Sequence, residues 1–461
     1  MEEIRFDIPI QQLFDLVVGT STGGIIALGV FEMGWTPAEA SVEFRKLAYQ
    51  AFTKKFRLRI PVFKYVAEYF CTFRYQSTGI ENALKSAFGI HAYLFGQQTQ
   101  ALSQNQGDVV KVGVVSCIEG RDQPCLIANY NRNPMQGSKN ADCLQREDNQ
   151  RNDFRIWQAA RATSAAQTYF EPYRHEPTSK VYVDGAIVRN NPVRVALEEE
   201  KRIWASETRP DIVVSIGSGI CVEESGQIRQ NRRSGGGWKR LLPARVKKMV
   251  DTGIDMVAST LDCQREWDDA VRLNPQIGGK CHRLDVGIFD KKVPALDEVE
   301  KMDELERLSQ EYLAKHSETG QKYFNPAHNS AYSHLRTVAR QLLAALFYFS
   351  DVPALDENSR NPKRLTGVIH CRLPPSPGAQ RLVRVAKFRL RECRMPMSRN
   401  ELDRPVIRDI YFAKTRDGRS FDAATLSAPV FFDILAGSWT RTIEASFPPS
   451  QGSGWAPISG F

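Results

Sequence analysis

An apolar run, a glycine-flanked serine turn and a second apolar run follow one another near the start of the chain. This succession constrains the fold more than any other feature. Leu13 to Val18 is a short apolar run ending at Gly19, as expected of a buried parallel strand. Gly19-Thr20-Ser21-Thr22-Gly23 turns the chain. Ile25 to Met33 is then apolar on nearly all sides, which predicts a buried helix with Gly34 as its C-terminal stop. A strand, a sharp turn and a helix in that order form the start of an α/β unit.

The same turn has a chemical reading. A serine hydroxyl is a weak nucleophile and needs exposure, a base and stabilisation of the oxyanion it creates. Glycines two residues either side let the turn close without side-chain clashes, as in a nucleophile elbow. The N-terminal amides of the following helix favour developing negative charge. A Gly-rich packing turn is the plainer alternative. A P-loop is excluded because its Gly-Lys-Ser/Thr ending is missing.

Further along, Thr36-Pro37-Ala38-Glu39 predicts a capping box with proline at the first helical position, followed by a helix through Phe44, Leu47 and Ala48. Val109 to Val115, Cys125 to Ala128, Val181 to Val183 and Ile212 to Ile216 read as strands, and the polar tracts 98–107 and 132–153 as loops. Such alternation predicts an α/β sheet with helices on both faces. A chain of 461 residues exceeds one ordinary core, and the composition changes after about residue 330. A helical stretch near 296–316 precedes that change. From Gly367 onward the segments are β-rich, with Pro374-Pro375 and Asp417-Gly418 as turns. Trp439, Arg441, Ile443, Ala445 and Phe447 share one face of a strand, opposite Thr440, Thr442, Glu444 and Ser446. The expected division is an α/β domain over 1–320 and an antiparallel β domain over 330–461.

Charge and cysteine content narrow the setting. The net charge of +9 favours anionic surfaces, membranes included, without requiring nucleic acid, and no nucleic-acid partner is expected. Between Arg229 and Lys248 lie eight basic residues and no acidic one, around Gly235-Gly236-Gly237. Val246, Val250, Ile254, Val257 and Leu261 then recur at helical spacing. A solvated loop with a packing helix and a contact with anionic lipid headgroups both fit this stretch. Met1 to Ile10 lacks the apolar core of a secretory signal, and Leu342 to Phe349 is too short to span a bilayer. The nine cysteines are scattered without a Cys-x-x-Cys pair and read as reduced thiols. A cytoplasmic protein, peripheral at membranes, is expected.

Asp184 is the foremost candidate for the base that Ser21 needs. It lies in Val183-Asp184-Gly185-Ala186, where a short strand ends in a glycine turn at the carboxyl edge of the sheet. Asp-Gly alone also reads as an ordinary turn. A Ser21–Asp184–His282 triad is the alternative. However, Leu284 and Val286 would share a face with His282, which suits a packed histidine. Only twenty residues precede Ser21, too few for the several strands that an α/β-hydrolase builds before its elbow.

Three blocks resemble the patatin-like phospholipases, a family of lipid acyl hydrolases. They are Gly19-Thr20-Ser21-Thr22-Gly23-Gly24, Ala160-Arg161-Ala162-Thr163-Ser164-Ala165-Ala166 and Asp184-Gly185-Ala186, with Tyr169-Phe170-Glu171-Pro172 continuing the second. The resemblance covers roughly residues 11–290. It implies a Ser21–Asp184 dyad, an acyl-serine intermediate and no metal or other cofactor. It also implies phospholipids or acylglycerols as substrates. Arg161 and Ser164 match the family block as either helix-packing or substrate-contacting residues. The family's Gly-rich oxyanion loop of the form Asp-Gly-Gly-Gly-x-Arg-Gly would precede the elbow, whereas Met1 to Phe6 resembles the end of the helix that follows that loop. Gly235-Gly236-Gly237-Trp238-Lys239-Arg240 mimics the pattern without a preceding strand. A catalytically impaired or truncated family member, acting in lipid binding or regulation, is therefore a second reading.

Overall fold

The computed structural model describes residues 7–52, 74–95, 110–120, 124–131, 152–167, 169–204, 209–221, 263–288, 294–318, 331–351, 364–394, 405–412, 421–422, 425–433, 439–447 and 455–459. The helix end expected at Met1–Phe6, the two polar tracts in large part, and the basic loop with the helix after it lie outside these residues.

The first sheet is mixed. Its strands are β1 (Leu16–Thr20), β2 (Lys111–Ile118), β3 (Pro124–Ala128), β4 (Tyr173–His175) and β5 (Lys180–Asp184), in the order β1-β2-β5-β4 with β3 also paired to β2. β1 runs parallel to β2, whereas β3 and β5 run antiparallel to it. The strand expected from Leu13 begins instead at Leu16. Pro9 opens a 3-10 turn over Ile10–Gln12, and Leu13 leaves the sheet to pack against the C-terminal core.

Alternation along the strands sends side chains to two faces. Val17, Val112, Val114 and Ile127 meet the larger core. It is completed by helices α1 (Thr22–Phe31), α2 (Pro37–Ala51), α3 (Ser77–Phe88) and α4 (Ile156–Thr163). Leu16, Val18, Val115 and Leu126 face the other way, toward Val195. A short helix α5 (Ala186–Arg189) precedes α6 (Val193–Ile203), which carries Val195. Helices therefore cover both faces, as the alternation required. The Thr36–Glu39 capping box is present with Pro37 at N1. α1 ends at Phe31, and Gly34 takes φ 72° in the turn beyond it.

Two short parallel pairs follow. β6 (Val213–Ile216) pairs with β8 (Cys281–Leu284), and β7 (Ile220–Cys221) pairs with β9 (Gly287–Ile288). Residues 263–273 are helical and pack Trp267 and Ala270 against Val193 and Leu197. α7 (Met302–Glu318) and α8 (Ala331–Ala344) lead to the C-terminal region. The apolar run Leu342 to Phe349 divides between the end of α8 and the start of β10 (Phe347–Asp351). No helix among the described residues is long and apolar enough to cross a membrane.

The C-terminal region holds two four-stranded antiparallel sheets. One joins β10, β11 (Arg364–Cys371), β15 (Ser427–Asp433) and β14 (Tyr411–Phe412) in that order. The other joins β13 (Val406–Asp409), β12 (Lys387–Arg394), β16 (Trp439–Ser446) and β17 (Trp455–Pro457). Their apolar residues, including Phe347, Ile369, Leu390, Val430 and Ile443, form one cluster with Ala379 and Leu382 of α9 (Pro377–Val385). Ile443, Ala445 and Phe447 point into it, as their shared face predicted. Glu444 and Ser446 on the opposite face are buried too, because Arg389 and Arg391 pair with Glu444 while Trp455 aligns with Ser446. Arg372 bonds both carboxylate oxygens of Asp15 at 2.8 and 3.0 Å, which ties this region to the residue before β1.

Candidate active site

Ser21 and Asp184 lie 163 residues apart in sequence, and the register of β2 brings them together. β1 occupies one edge of β2 from Lys111 to Val115, and β5 continues along that edge from Ser116 to Ile118. β3 covers the other edge from Gly113 to Cys117. β1 and β5 run in opposite directions and so meet by their carboxyl ends, with Thr20 opposite Val115 and Asp184 opposite Ser116. The residues at those ends face each other: Ser21 Oγ donates to Asp184 Oδ2 at 2.6 Å.

Two close approaches make the meeting possible. A Cβ on Gly19 would lie 2.4 Å from the Gly23 carbonyl oxygen, and one on Gly185 would lie 2.3 Å from that of Val115. Both are backbone contacts that no rotamer change relieves. Ser21 itself takes φ 54°, ψ −123°, a conformation that non-glycine residues rarely adopt. It is the N-cap of α1, yet its side chain makes no capping hydrogen bond. The hydroxyl is thereby directed to Asp184 instead of the helix amides.

Asp184 is only 1% exposed. Burial pushes its carboxyl up to about 6, against the opposing effect of hydrogen bonds from the Ser21 hydroxyl and the Ala186 amide. The Ala186 amide holds Oδ1 at 2.8 Å, leaving Oδ2 for the serine. Such a carboxylate is a stronger base than a solvated one and is ionised at neutral pH. A hydroxyl in contact with it can give up its proton as it attacks an electrophile.

The second block braces both groups. The Ser21 amide donates to Thr163 Oγ1 at 2.9 Å, and the Asp184 amide donates to the Ala165 carbonyl at 3.0 Å. Ser116 Oγ bonds the carbonyls of Ala162 and Val183 at 3.0 and 2.8 Å. Thr20 Oγ1 reaches the Arg189 carbonyl at 2.9 Å, fixing the turn that follows Asp184. Thr163 and Ser116 had no assigned role in the sequence. Thr163 lay within a recognisable block, whereas nothing in spacing or composition distinguished Ser116.

Arg161 and Ser164 make their hydrogen bonds within the fold. Arg161 is 1% exposed and bonds Ser77 Oγ at 3.0 Å and the Glu171 carbonyl at 2.6 Å, with its guanidinium over the Phe170 and Tyr173 rings. Ser164 Oγ bonds back to the Ala160 carbonyl at 2.7 Å. His282 is not brought to the pair. It lies buried on β8, its Nε2 2.5 Å from Gln341 Oε1 of α8 and its ring 5.1 Å from that of His334.

Residues 6–197 match the family model described as patatin-like phospholipase. The chain is 30% identical over 321 residues to the rat calcium-independent phospholipase A2-gamma, covering 68% of this chain and 36% of that protein. It is 28% identical over 291 residues to the mouse 85/88 kDa calcium-independent phospholipase A2, covering 58% and 32% respectively. It is 25% identical over 264 residues to an Arabidopsis thaliana protein named probable inactive patatin-like protein 9, covering 55% of this chain and 60% of that one. The chain thus spans about a third of the length of the two mammalian relatives. On the strength of the matched segment, this chain carries a patatin-like phospholipase domain over residues 6–197.

Proposed function

We propose that this chain hydrolyses carboxylic esters of glycerolipids, phospholipids or acylglycerols, with Ser21 as nucleophile and Asp184 as base. The direct 2.6 Å hydrogen bond from Ser21 Oγ to Asp184 Oδ2 is the observation that carries the reading. In the acylation step Asp184 accepts the hydroxyl proton while Ser21 Oγ forms a bond to the ester carbonyl carbon. The carbonyl electron pair moves onto oxygen, then returns to expel the alcohol, which leaves with the proton held by Asp184. Water attacks the acyl-serine in the same way and gives a proton to Asp184; collapse of the adduct breaks the bond to Ser21 Oγ, which takes that proton back as the fatty acid leaves. The amide dipoles at the start of α1 stabilise the transient oxyanion in part.

Several observations support this assignment over its rivals. The raised carboxyl of Asp184 suits a base that must both accept and return a proton near neutral pH. His282, the third member of a triad reading, has its Nε2 engaged by Gln341. The C-terminal apolar cluster, centred on residues 344–458 with Leu13 packed against it, supports domains over 1–320 and 330–461, with the C-terminal sheets fastened beside β1 through Arg372 and Asp15. The net charge of +9 supports contact with anionic lipid surfaces.

The test is release of fatty acid from phosphatidylcholine vesicles and from a short-chain nitrophenyl ester, comparing wild type with Ser21→Ala and Asp184→Asn. Both substitutions should reduce turnover to background. Equal turnover by wild type and Ser21→Ala refutes the assignment. Lipid binding without turnover in the wild type moves the chain to the non-catalytic reading.

A further inference from the structure

We propose that Thr163 is a positioning residue for the nucleophile, holding the Ser21 peptide in its unfavourable conformation through one hydroxyl; this rests on Ser21 being the nucleophile. Thr163 ends α4 and is fully buried. Its Oγ1 accepts the Ser21 amide proton at 2.9 Å and donates its own proton to the Val115 carbonyl. A hydroxyl has one proton to give, so both bonds are made without conflict. Val115 is the residue of β2 opposite Thr20, at the junction where β1 gives way to β5. One side chain therefore links the elbow to the point on β2 that brings Asp184 beside it.

The conformation of Ser21 makes such a tether necessary. At φ 54° and ψ −123° the serine relaxes toward ordinary backbone angles unless its neighbours over-determine it. The amide held by Thr163 belongs to the same residue whose Oγ must meet Asp184. Rotation of that peptide would carry the hydroxyl away from the carboxylate. The Thr163 methyl completes the fit, since a Cβ on Gly24 would lie 2.8 Å from Thr163 Cγ2. The tether also has a chemical consequence. The Ser21 amide is committed to Thr163, so donors to the oxyanion come from other amides.

Thr163→Val keeps the shape and removes both hydrogen bonds, whereas Thr163→Ser keeps the hydroxyl and removes the methyl. The full chain is treated with a biotinylated fluorophosphonate, and the rate and endpoint of labelling at Ser21 are read by mass spectrometry. Thr163→Val should reach the wild-type endpoint about 10²-fold more slowly, the scale of loss when a reacting group is slightly misplaced. Thr163→Ser should retain most of the rate. With the nitrophenyl ester, the loss in Thr163→Val should fall on kcat and spare KM. A purely structural role would lower the endpoint and leave the rate of the labelled fraction unchanged, which overturns the proposal. Equal rates in Thr163→Val and wild type, or equally slow rates in Thr163→Ser and Thr163→Val, overturn it as well.

Should Thr163→Val fail to fold, Gly24→Ala provides the second arm. Its methyl meets Thr163 Cγ2 at 2.8 Å, Thr163 Oγ1 at 3.1 Å and Val114 Cγ1 at 3.2 Å and should slow labelling; the double variant Thr163→Ser/Gly24→Ala removes the closest of these and should recover part of the rate. A double variant as slow as Gly24→Ala overturns the proposal. Absence of label on Ser21 in the wild type overturns the nucleophile assignment, and the positioning role falls with it. Label on wild-type Ser21 with no dependence on Thr163 overturns the positioning role alone.

Discussion

Replacing Asp184 by asparagine should make the α/β core more stable while removing its chemistry. The folded carboxyl is pushed up to about 6 by burial, against about 4 for a solvated aspartate. Ionising it in the folded state therefore costs about 3 kcal/mol more than ionising it in the unfolded chain. The native state holds the proton over the window from about pH 4 to 6, and the unfolded state releases it. Stability contributed by the neutral form is thus complete below the window and is lost as pH rises through it. Asparagine carries no charge and escapes that loss. Its side-chain carbonyl can still accept from the Ala186 amide, and its NH2 can donate to Ser21 Oγ, so both hydrogen bonds survive with one reversed.

The expected gain for Asp184→Asn is up to about 3 kcal/mol at pH 8, vanishing below pH 4. Hydrogen exchange of peptides covering β1 and β2, corrected for intrinsic rates at each pH, measures the opening free energy of this core. Glu32, Asp153 and Glu200, whose carboxyls burial also raises, titrate alike in both chains and drop out of the difference. Ester hydrolysis by the variant should be at background throughout. A difference that stays constant from pH 4 to 8, or a variant less protected than wild type at pH 8, refutes the desolvation argument.

Other perturbations test neighbouring links. Wild-type ester hydrolysis should rise with pH through an apparent midpoint near 6, because the base must be ionised; a pH–rate profile flat from 5 to 8 contradicts this. Gly185→Ala places a methyl 2.3 Å from the Val115 carbonyl oxygen and should cost about 1–3 kcal/mol by urea unfolding, with loss of turnover. His282→Ala should leave hydrolysis intact while loosening α8, seen as faster exchange around Gln341; abolished turnover in a folded variant would restore the triad reading. Glu32, buried beside Asn129, is pushed up to about 8, so Glu32→Gln should gain stability over wild type as pH rises from about 4.5 to 8 in the same exchange experiment.

Much of the α/β unit was legible because its signals are local. The capping box at Thr36–Glu39 is contained in four residues, and α1 was readable from an uninterrupted apolar run. Strand limits were less so. Leu13 looked continuous with Val17 and Val18, but its apolar side chain belongs to the C-terminal core, a partner more than three hundred residues away in sequence. The parallel strand expected before the elbow exists, yet most of its sheet is antiparallel, since pairing direction depends on connections that periodicity does not encode. Glu444 reads as a solvent-facing charge until Arg389 and Arg391 arrive on the neighbouring strand.

By itself, the sequence determined the chemical identity of the pair: a serine in a glycine-closed elbow and an aspartate at the end of a short strand. Residue type and immediate neighbours are sufficient for that. Their distance, the lifted carboxyl of Asp184 and the exclusion of His282 from its contacts were decided by tertiary structure alone. Those properties arise where β1 and β5 end against one edge of β2, with Thr163 buried beneath them. A hydrogen bond and a desolvation cost both depend on what surrounds a group in space. That environment is assembled from segments too far apart in sequence to be read along it.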